Sequence, residues 1–390
     1  MEGDLIKTNN WLLPLSWIYG LGVGLRNQLF EMGVLKSRSF DIPVISVGNI
    51  TVGGSGKTPH VEYLVRLLKD HVNVAVLSRG YKRKTKGFVL ADDNTTWTDI
   101  GDEPYQMHRK YKDIYVAVDK NRCHGIEQLS DDTVAKGTDV VLLDDAYQHR
   151  YVKPGINILL VDYHRMITKD KLLPAGRLRE PKDGKNRADI VIVTKCPDDM
   201  KPMDYRVLTK DLDLYPFQRL FFTAIRYEEM RSMTGNDTLS LEDIDKDTSI
   251  LLLTGIASPD QMRMDIEKYC SKVHTLSFGD HHQYTAKDIQ TIKAEYEKIE
   301  GKKIIVTTEK DAVRLADLQE LDDYLRSNIY QLPIKVAFLQ DQEETFCDNI
   351  LSYINKNSKN NILIRNKENK KPQQTDSPKE KDKPLTISFN

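Results

Sequence analysis

Short apolar runs rich in Val and Ile recur along the chain. The first series is Ile42 to Val47, Val72 to Leu77, Ile114 to Val118, Val140 to Leu143, Ile156 to Val161 and Asp189 to Val193. Runs apolar on both faces, separated by helix-length segments, predict a buried parallel sheet. A second series follows at Leu220 to Ala224, Ile250 to Leu253, Ile304 to Thr307 and Ile334 to Phe338. The stretch DLDLYPFQ (residues 211–218) separates the two. The expected organisation is α/β, with a mostly parallel sheet domain at 41–215 and a smaller α/β domain at 216–355. Residues 356–390 are rich in Asn, Lys, Gln, Ser and Pro and cannot bury enough apolar surface to order themselves. They are expected to form a disordered basic tail. No internal repeat recurs at a fixed period.

Residues 1–40 break the pattern. Trp11 to Leu25 (WLLPLSWIYGLGVGL) carries no charge and ends at Arg26. It is no signal peptide: Glu2 and Asp4 outweigh Lys7, and no small-residue cleavage site follows. The run falls short of the about 17 to 25 residues that a spanning helix needs. Pro14 can open a helix at its first turn, and aromatic rings favour the headgroup level. The reading is a membrane-associated N-terminal helix, either monotopic or a single anchor. The continuity of the apolar residues favours this over docking on the protein's own core.

Composition narrows the class. In 390 residues, 39% apolar and 29% charged exclude a disordered or collagen-like chain. No set of long apolar runs supports a polytopic membrane protein. A net charge of -1 gives no support for a nucleic-acid partner. That sum hides a tail with nine Lys/Arg against four acids, on an acidic body. Cys123, Cys196, Cys270 and Cys347 lie far apart, which argues against a zinc site or disulfide framework.

The chemistry begins after the first strand, at VGNITVGGSGKTP (Val47 to Pro59), and a helical pattern follows. Strand, glycine-rich loop, Gly-Lys-Thr and helix form the context of a phosphate loop. Backbone N–H groups close round the phosphates and the helix N-terminus adds its dipole. This predicts a P-loop NTPase-like domain that binds a nucleoside triphosphate and Mg2+, which the family resemblance below makes ATP. The expected nucleotide contacts are Asn49, Thr51, Val52, Gly53, Gly54, Ser55, Gly56, Lys57 and Thr58. Lys57 reaches the β- and γ-phosphates, and Thr58 ligates magnesium. The usual pattern has Gly where Thr51 stands; Gly53 and Gly54 supply the flexibility instead. The strand VVLLDD supplies the acid partners Asp144 and Asp145. Adjacent strand residues face opposite ways unless the strand bends, so one holds magnesium while the other orients loops.

These residues closely resemble the tetraacyldisaccharide 4'-kinases of lipid A biosynthesis. The resemblance rests on the phosphate loop together with SRGYKRK (Ser78 to Lys84), GDEPYQM (Gly101 to Met107) and DDAYQHR (Asp144 to Arg150). LLPAGRLREP (Leu172 to Pro181), FGDHHQY (Phe278 to Tyr284) and TTEKDAVR (Thr307 to Arg314) complete the set. It covers about residues 10 to 340 and leaves out the tail. Ala146 stands where the family mostly has Gly, which is tolerable unless the backbone needs positive φ. The resemblance implies transfer of the ATP γ-phosphate to the 4'-hydroxyl of a tetraacylated glucosamine disaccharide 1-phosphate, giving lipid IVA. It implies work at the cytoplasmic face of the inner membrane. It places the base on Asp102, with His281 as its partner. These are far apart in sequence, so domain closure would assemble them. It puts Glu180 near the magnesium. Gln148 and His149 are read as supporting the acid pair. Arg79, Tyr81 and Arg122 are expected headgroup contacts, since an Arg fork suits phosphate. Lys82, Arg83 and Lys84 form a basic loop. TTEKD (Thr307 to Asp311) ends a strand of the second domain and receives no role.

Two other functions compete. One is a soluble P-loop GTPase or a regulatory or metal-insertion ATPase. A GTPase wants N/T-K-x-D, and Thr194-Lys195-Cys196-Pro197 has Pro in place of Asp. The other is a non-enzymatic nucleotide-regulated scaffold, which needs neither Asp102 nor His281.

Overall fold

The computed structural model describes residues 8–235, 237–245, 247–256, 259–279, 282–316, 318 and 321–357. His281 and the tail expected at 356–390, apart from Lys356 and Asn357, lie outside them.

The chain opens on helix α1 (Leu13–Glu31), with Pro14 in its first turn. Strand β1 (Val44–Gly48) leads into the glycine-rich loop and helix α2 (Lys57–Leu68). There follow β2 (Val74–Ser78), β3 (Val89–Leu90), α3 (Trp97–Ile100), α4 (Asp102–Lys110), β4 (Tyr115–Val118) and α5 (Arg122–Leu129). Then come β5 (Val140–Asp144), β6 (Ile156–Asp162), β7 (Ile190–Thr194), α6 (Pro202–Leu212) and β8 (Arg219–Tyr227). The next group is β9 (Met230–Ser232), β10 (Thr238–Leu239), β11 (Ser249–Thr254), α7 (Pro259–Glu267), β12 (Val273–Ser277) and α8 (Ala286–Glu297). It continues with β13 (Lys303–Thr308), α9 (Glu309–Ala316), α10 (Asp323–Asn328) and β14 (Ile329–Leu332). β15 (Ile334–Phe338) and α11 (Glu343–Asn357) close the described chain.

The strands form two sheets. The nine-stranded one runs β15-β8-β7-β6-β1-β5-β2-β4-β3, and the six-stranded one β10-β9-β14-β13-β11-β12. In the larger sheet the strands from β8 to β4 are parallel, and antiparallel β15 and β3 form its edges. Every residue of β1, β2, β5 and β7 is buried, as runs apolar on both faces require. Val61, Leu64, Val65 and Leu68 of α2 cover one face beside Phe346, Ile350 and Ile354 of α11. β1 lies between β5 and β6, to which the chain runs on opposite sides. Ligands of such sheets bind outside the carboxyl ends at this kind of reversal.

The boundary expected at 215/216 does not follow the sheets. β8, β15 and α11 all belong to the larger sheet and its core. The smaller sheet draws its strands from Met230 to Leu332. The chain crosses between the sheets twice, side by side, because β8 pairs with β15 and β9 with β14. DLDLYPFQ is the turn between α6 and β8, so its polar and proline content marks a loop, not a domain linker.

α1 docks along one side. Ser16 donates to the Leu172 carbonyl at 3.0 Å and accepts from Ala175 N–H, and Tyr19 donates to the Arg179 carbonyl at 2.7 Å. Phe30 is buried edge-on to Tyr151. At about 100° per residue, Trp17, Ile18, Leu21 and Leu25 fall on the opposite face, and all four are exposed. The helix therefore docks on the body and still presents an apolar face, so docking and membrane contact are not alternatives for this segment. Among the described residues no helix is long and apolar enough to cross a membrane.

Candidate active site

The glycine-rich loop sits at the carboxyl end of β1. Gly53 and Gly56 have φ of 116° and 82°, a region that favours glycine. Thr51, in place of the usual glycine, is buried and bridges to Leu178 in extended conformation. Val52 N–H donates to the Arg177 carbonyl at 2.7 Å. The loop is thus pinned against the Leu172–Pro181 segment. Inside it, the Asn49 amide donates to Ser55 Oγ at 2.7 Å. Gly54 faces open space. Lys57 and Thr58 begin α2, both half-buried.

Asp144 ends β5 next to this loop. Asp145 follows with φ of 47°, so the chain turns between the two carboxylates instead of sending them to opposite faces. Lys57 Nζ lies 3.7 Å from Asp145, and Arg179 lies 3.3 Å from it on another side. Ala146 is not among the residues of positive φ, which explains why Ala is accepted there. Asp144 is buried and its Oδ1 lacks a hydrogen-bond partner. Burial, with Glu103 and Asp145 beside it, pushes its pKa up to about 7 against the pull of Lys57 and Arg122. A buried, undercompensated carboxylate beside a phosphate loop fits a divalent cation.

That electrostatic cost can be measured. Asp144→Asn is expected to raise the thermal midpoint of the nucleotide-free protein. The group's folded pKa is above its unfolded value of about 3.9, so the wild type loses stability as pH rises from there to about 7. The gain from Asn should grow over that range and level off above it. A pH-independent difference would show that Asp144 is not the strained group.

Glu180 is placed differently from the expectation. It is buried, but its carboxylate is held by Arg187 at 2.8 Å and Gln148 at 3.1 Å. It braces the loop from behind: the same Gln148 amide donates to the Asn49 carbonyl at 2.6 Å. An Arg-paired carboxylate is a poorer magnesium ligand than Asp144. His149 lies among Arg122, Arg26 and Arg79. Burial, reinforced by those charges, pushes its pKa down to about 4.

Asp102 opens α4, directly after Gly101, whose φ is 91°. A Cβ on Gly101 would sit 2.9 Å from the Tyr81 carbonyl, so the G-D-E-P and S-R-G-Y motifs touch through bare backbone. Arg79 and Tyr81 are exposed there, as contact with a large ligand requires. Arg122 is not exposed. Its Nη1 donates to the Asp119 and Lys120 carbonyls, and its charge acts on Asp145 and Asp144. Burial brings its pKa down to about 10.

Asp102 meets two cations the sequence did not suggest as its partners. Arg314 of α9 forms an ion pair with it, and Lys310 lies 4.0 Å away. Lys310 also pairs with Glu103 at 2.9 Å. Arg314 is fixed by the fully buried Asp311 at 3.0 Å. Lys110 of α4 completes the clasp by bridging Glu62 of α2 and Glu309 of α9. TTEKDAVR therefore joins the smaller sheet to the Asp102 helix. Its signal was in the sequence as a motif, but without a partner. His282, the neighbour of His281, pairs with Asp288 at 3.0 Å and stacks on Phe278.

The chain matches the family model described as tetraacyldisaccharide-1-P 4'-kinase over residues 8–355. A tetraacyldisaccharide 4'-kinase of Phocaeicola vulgatus is 60% identical over 92% of this chain and 99% of its own length. That of Porphyromonas gingivalis is 46% identical over 90% and 99%. A crystal structure of the "apo" form of LpxK from Aquifex aeolicus in complex with ATP superposes with a TM-score of 0.67. It is 30% identical and covers 88% of this chain and 98% of that one.

Proposed function

Because the chain belongs to the tetraacyldisaccharide-1-P 4'-kinase family, we propose that the crevice at the end of β1 is its transfer site. The protein is a lipid A 4'-kinase. It moves the γ-phosphate of ATP to the 4'-hydroxyl of a tetraacyldisaccharide 1-phosphate, giving lipid IVA. The observation that carries the site assignment is the nearness of the Gly-Lys-Thr loop and the Asp102 helix to the Asp144/Asp145 turn: Lys57 lies 3.7 Å from Asp145, and both Lys57 and Glu103 act on the Asp144 carboxylate. The test is γ-labelled ATP with a disaccharide lipid acceptor and a lipid-free control. Label in water-soluble phosphate regardless of lipid would overturn the reading.

Residues 49–58 cradle the triphosphate, with the loop N–H groups and Lys57 neutralising its charge. Thr58 and Asp144 would hold magnesium, and Asp145 keeps Lys57 and Arg179 in place. When bound, the ion screens the charge on the phosphates. Asp102 takes the proton of the 4'-hydroxyl as it attacks. His281 is proposed as its partner on the evidence of the family resemblance. Lys310 and Arg314 hold α4 against α9, which links the base to the smaller sheet. Arg79 and Tyr81 face the acceptor's headgroup. Arg122 balances the acid pair from behind.

The acceptor is a glycolipid, so the site works at a membrane, on the side where ATP is available. The exposed face of α1 would enter the headgroup layer. Each large apolar side chain buried contributes about 1.5–3 kcal/mol. Trp17, Ile18 and Leu21 replaced together by Glu should move the protein from the membrane pellet to the supernatant with little change in thermal midpoint. Unchanged sedimentation with membranes would place the contact elsewhere.

The GTPase alternative loses its remaining residues. Thr194 Oγ1 donates to the Ser55 carbonyl at 3.0 Å and Lys195 pairs with Asp162 at 2.7 Å. Both are spent on the scaffold.

A further inference from the structure

A histidine with no part in the transfer chemistry is buried directly behind the phosphate loop. His60 lies in the first turn of α2 and is 4% exposed. Its Nδ1 is 2.7 Å from the Gly56 carbonyl oxygen, and its Nε2 is 3.1 Å from Thr223 Oγ1 on β8. A carbonyl oxygen only accepts, so Nδ1 carries the proton. Nε2 then accepts, and the Thr223 hydroxyl donates to it. The ring is neutral, since burial pushes its pKa down to about 4.

The direction of one peptide follows. The Gly56 carbonyl and the Lys57 N–H belong to the same planar trans unit and point opposite ways. The Gly56 carbonyl also accepts the His60 backbone N–H at 3.2 Å, the first bond of α2, so it points along the helix and the imidazole adds a second, shorter hold on it. The Lys57 N–H accordingly points out of the helix N-terminus, toward the space in front of the loop. Thr194 does the same one peptide earlier: its hydroxyl holds the Ser55 carbonyl at 3.0 Å, and the N–H of that unit belongs to Gly56. Gly56 packs against the imidazole at van der Waals distance: a Cβ there would lie 3.5 Å from Nδ1. Two consecutive N–H groups are thus aimed from behind, by side chains on α2, β7 and β8.

We infer that His60 is a positioning residue for ATP. It clamps the Gly56 carbonyl so that the Gly56–Lys57 peptide presents its N–H to the phosphates before the nucleotide arrives. The inference rests on the reading of residues 49–58 as the phosphate loop. Its physical content is preorganisation: a loop already oriented gives up less on binding than one that must be ordered. The ring touches neither substrate, so its influence should appear in ATP affinity and not in acceptor affinity.

The experiment compares two substitutions in the full-length protein. His60→Phe keeps a ring of similar size but removes the donor. It should raise both the dissociation constant and the KM for ATP about tenfold, while the KM for the lipid acceptor stays within about twofold. His60→Asn places an amide N–H near the position of Nδ1 and should recover most of the loss. ATP affinity unchanged in His60→Phe, or equal impairment in both variants, would overturn the inference. A spectrum of 15N-histidine-labelled wild type gives a check independent of variant folding: the Nδ1–H tautomer is expected, and the Nε2–H tautomer would refute the clamp. Lys57→Ala separates the two levels. If it too leaves ATP binding unchanged, the phosphate-loop reading fails. If only His60→Phe is silent, the clamp alone fails.

Discussion

Asp102→Ala is expected to lower kcat about a thousandfold, within the range typical for loss of a general base, while the dissociation constant for ATP changes less than about threefold. The separation follows from position. Asp102 lies on α4, whose N-terminus packs on the S-R-G-Y backbone, and the nucleotide loop lies between β1 and α2. Its loss removes the proton acceptor and leaves the cradle intact. It also removes an ion pair from the clasp, but Arg314 keeps Asp311 and the Gly255 carbonyl. The fold should therefore survive. Asp102→Asn keeps the shape and should be nearly as slow, which distinguishes lost proton transfer from a lost clasp. Single-turnover assays at saturating ATP and lipid measure the effect; wild-type rates in either variant would remove Asp102 from the chemistry.

Lys57→Ala should reduce kcat/KM for ATP by about 10²- to 10³-fold, the scale at which a preorganised charge on a reacting group acts. Two effects add. The phosphates lose the cation held beside them by Asp145. The acid pair also loses a counter-charge: Lys57 lies 3.7 Å from Asp145 and helps restrain the raised pKa of Asp144. Asp144 should then hold its proton to higher pH and compete less well for magnesium. The activity of the variant should accordingly recover in part as pH is raised, a trend absent from a simple loss of phosphate contact. Calorimetric ATP titration and steady-state rates across pH check both parts. Unchanged kcat/KM would sink the role of the loop.

The apolar runs named ten strands in advance, and all ten are present as β1, β2, β4 to β8, β11, β13 and β15. β3 and β10 were too short to show a period, and β9 has only three residues. β12 is largely exposed, so Val273–Ser277 lacks the run of a buried strand. Sheet membership was not legible. Nothing local in Leu220 to Ala224 or Ile334 to Phe338 says which sheet each strand joins, because that choice is made by pairing partners distant in sequence. The loop and the acid turn were legible because glycine and a strand-end carboxylate carry local signals. Arg314 was not, since a lone Arg on a helix looks the same whether it meets water or Asp102. Glu180 shows the converse. Its motif was visible, but Arg187, which binds it, sits in a segment without one.

The paired crossing of the chain has a consequence for its birth on the ribosome. β8 needs β15 as its outer neighbour, and the core under α2 needs Phe346, Ile350 and Ile354 from α11. These are made only after the whole of the smaller sheet. The nascent larger sheet must wait with an unpaired edge and an uncovered apolar face, a state prone to aggregation. Chains that terminate before residue 334 should then be poor substrates for folding even though the phosphate loop, Asp144, Asp145 and Asp102 have long been synthesised. The last of the described helices to leave the tunnel is the one that seals the first sheet to form.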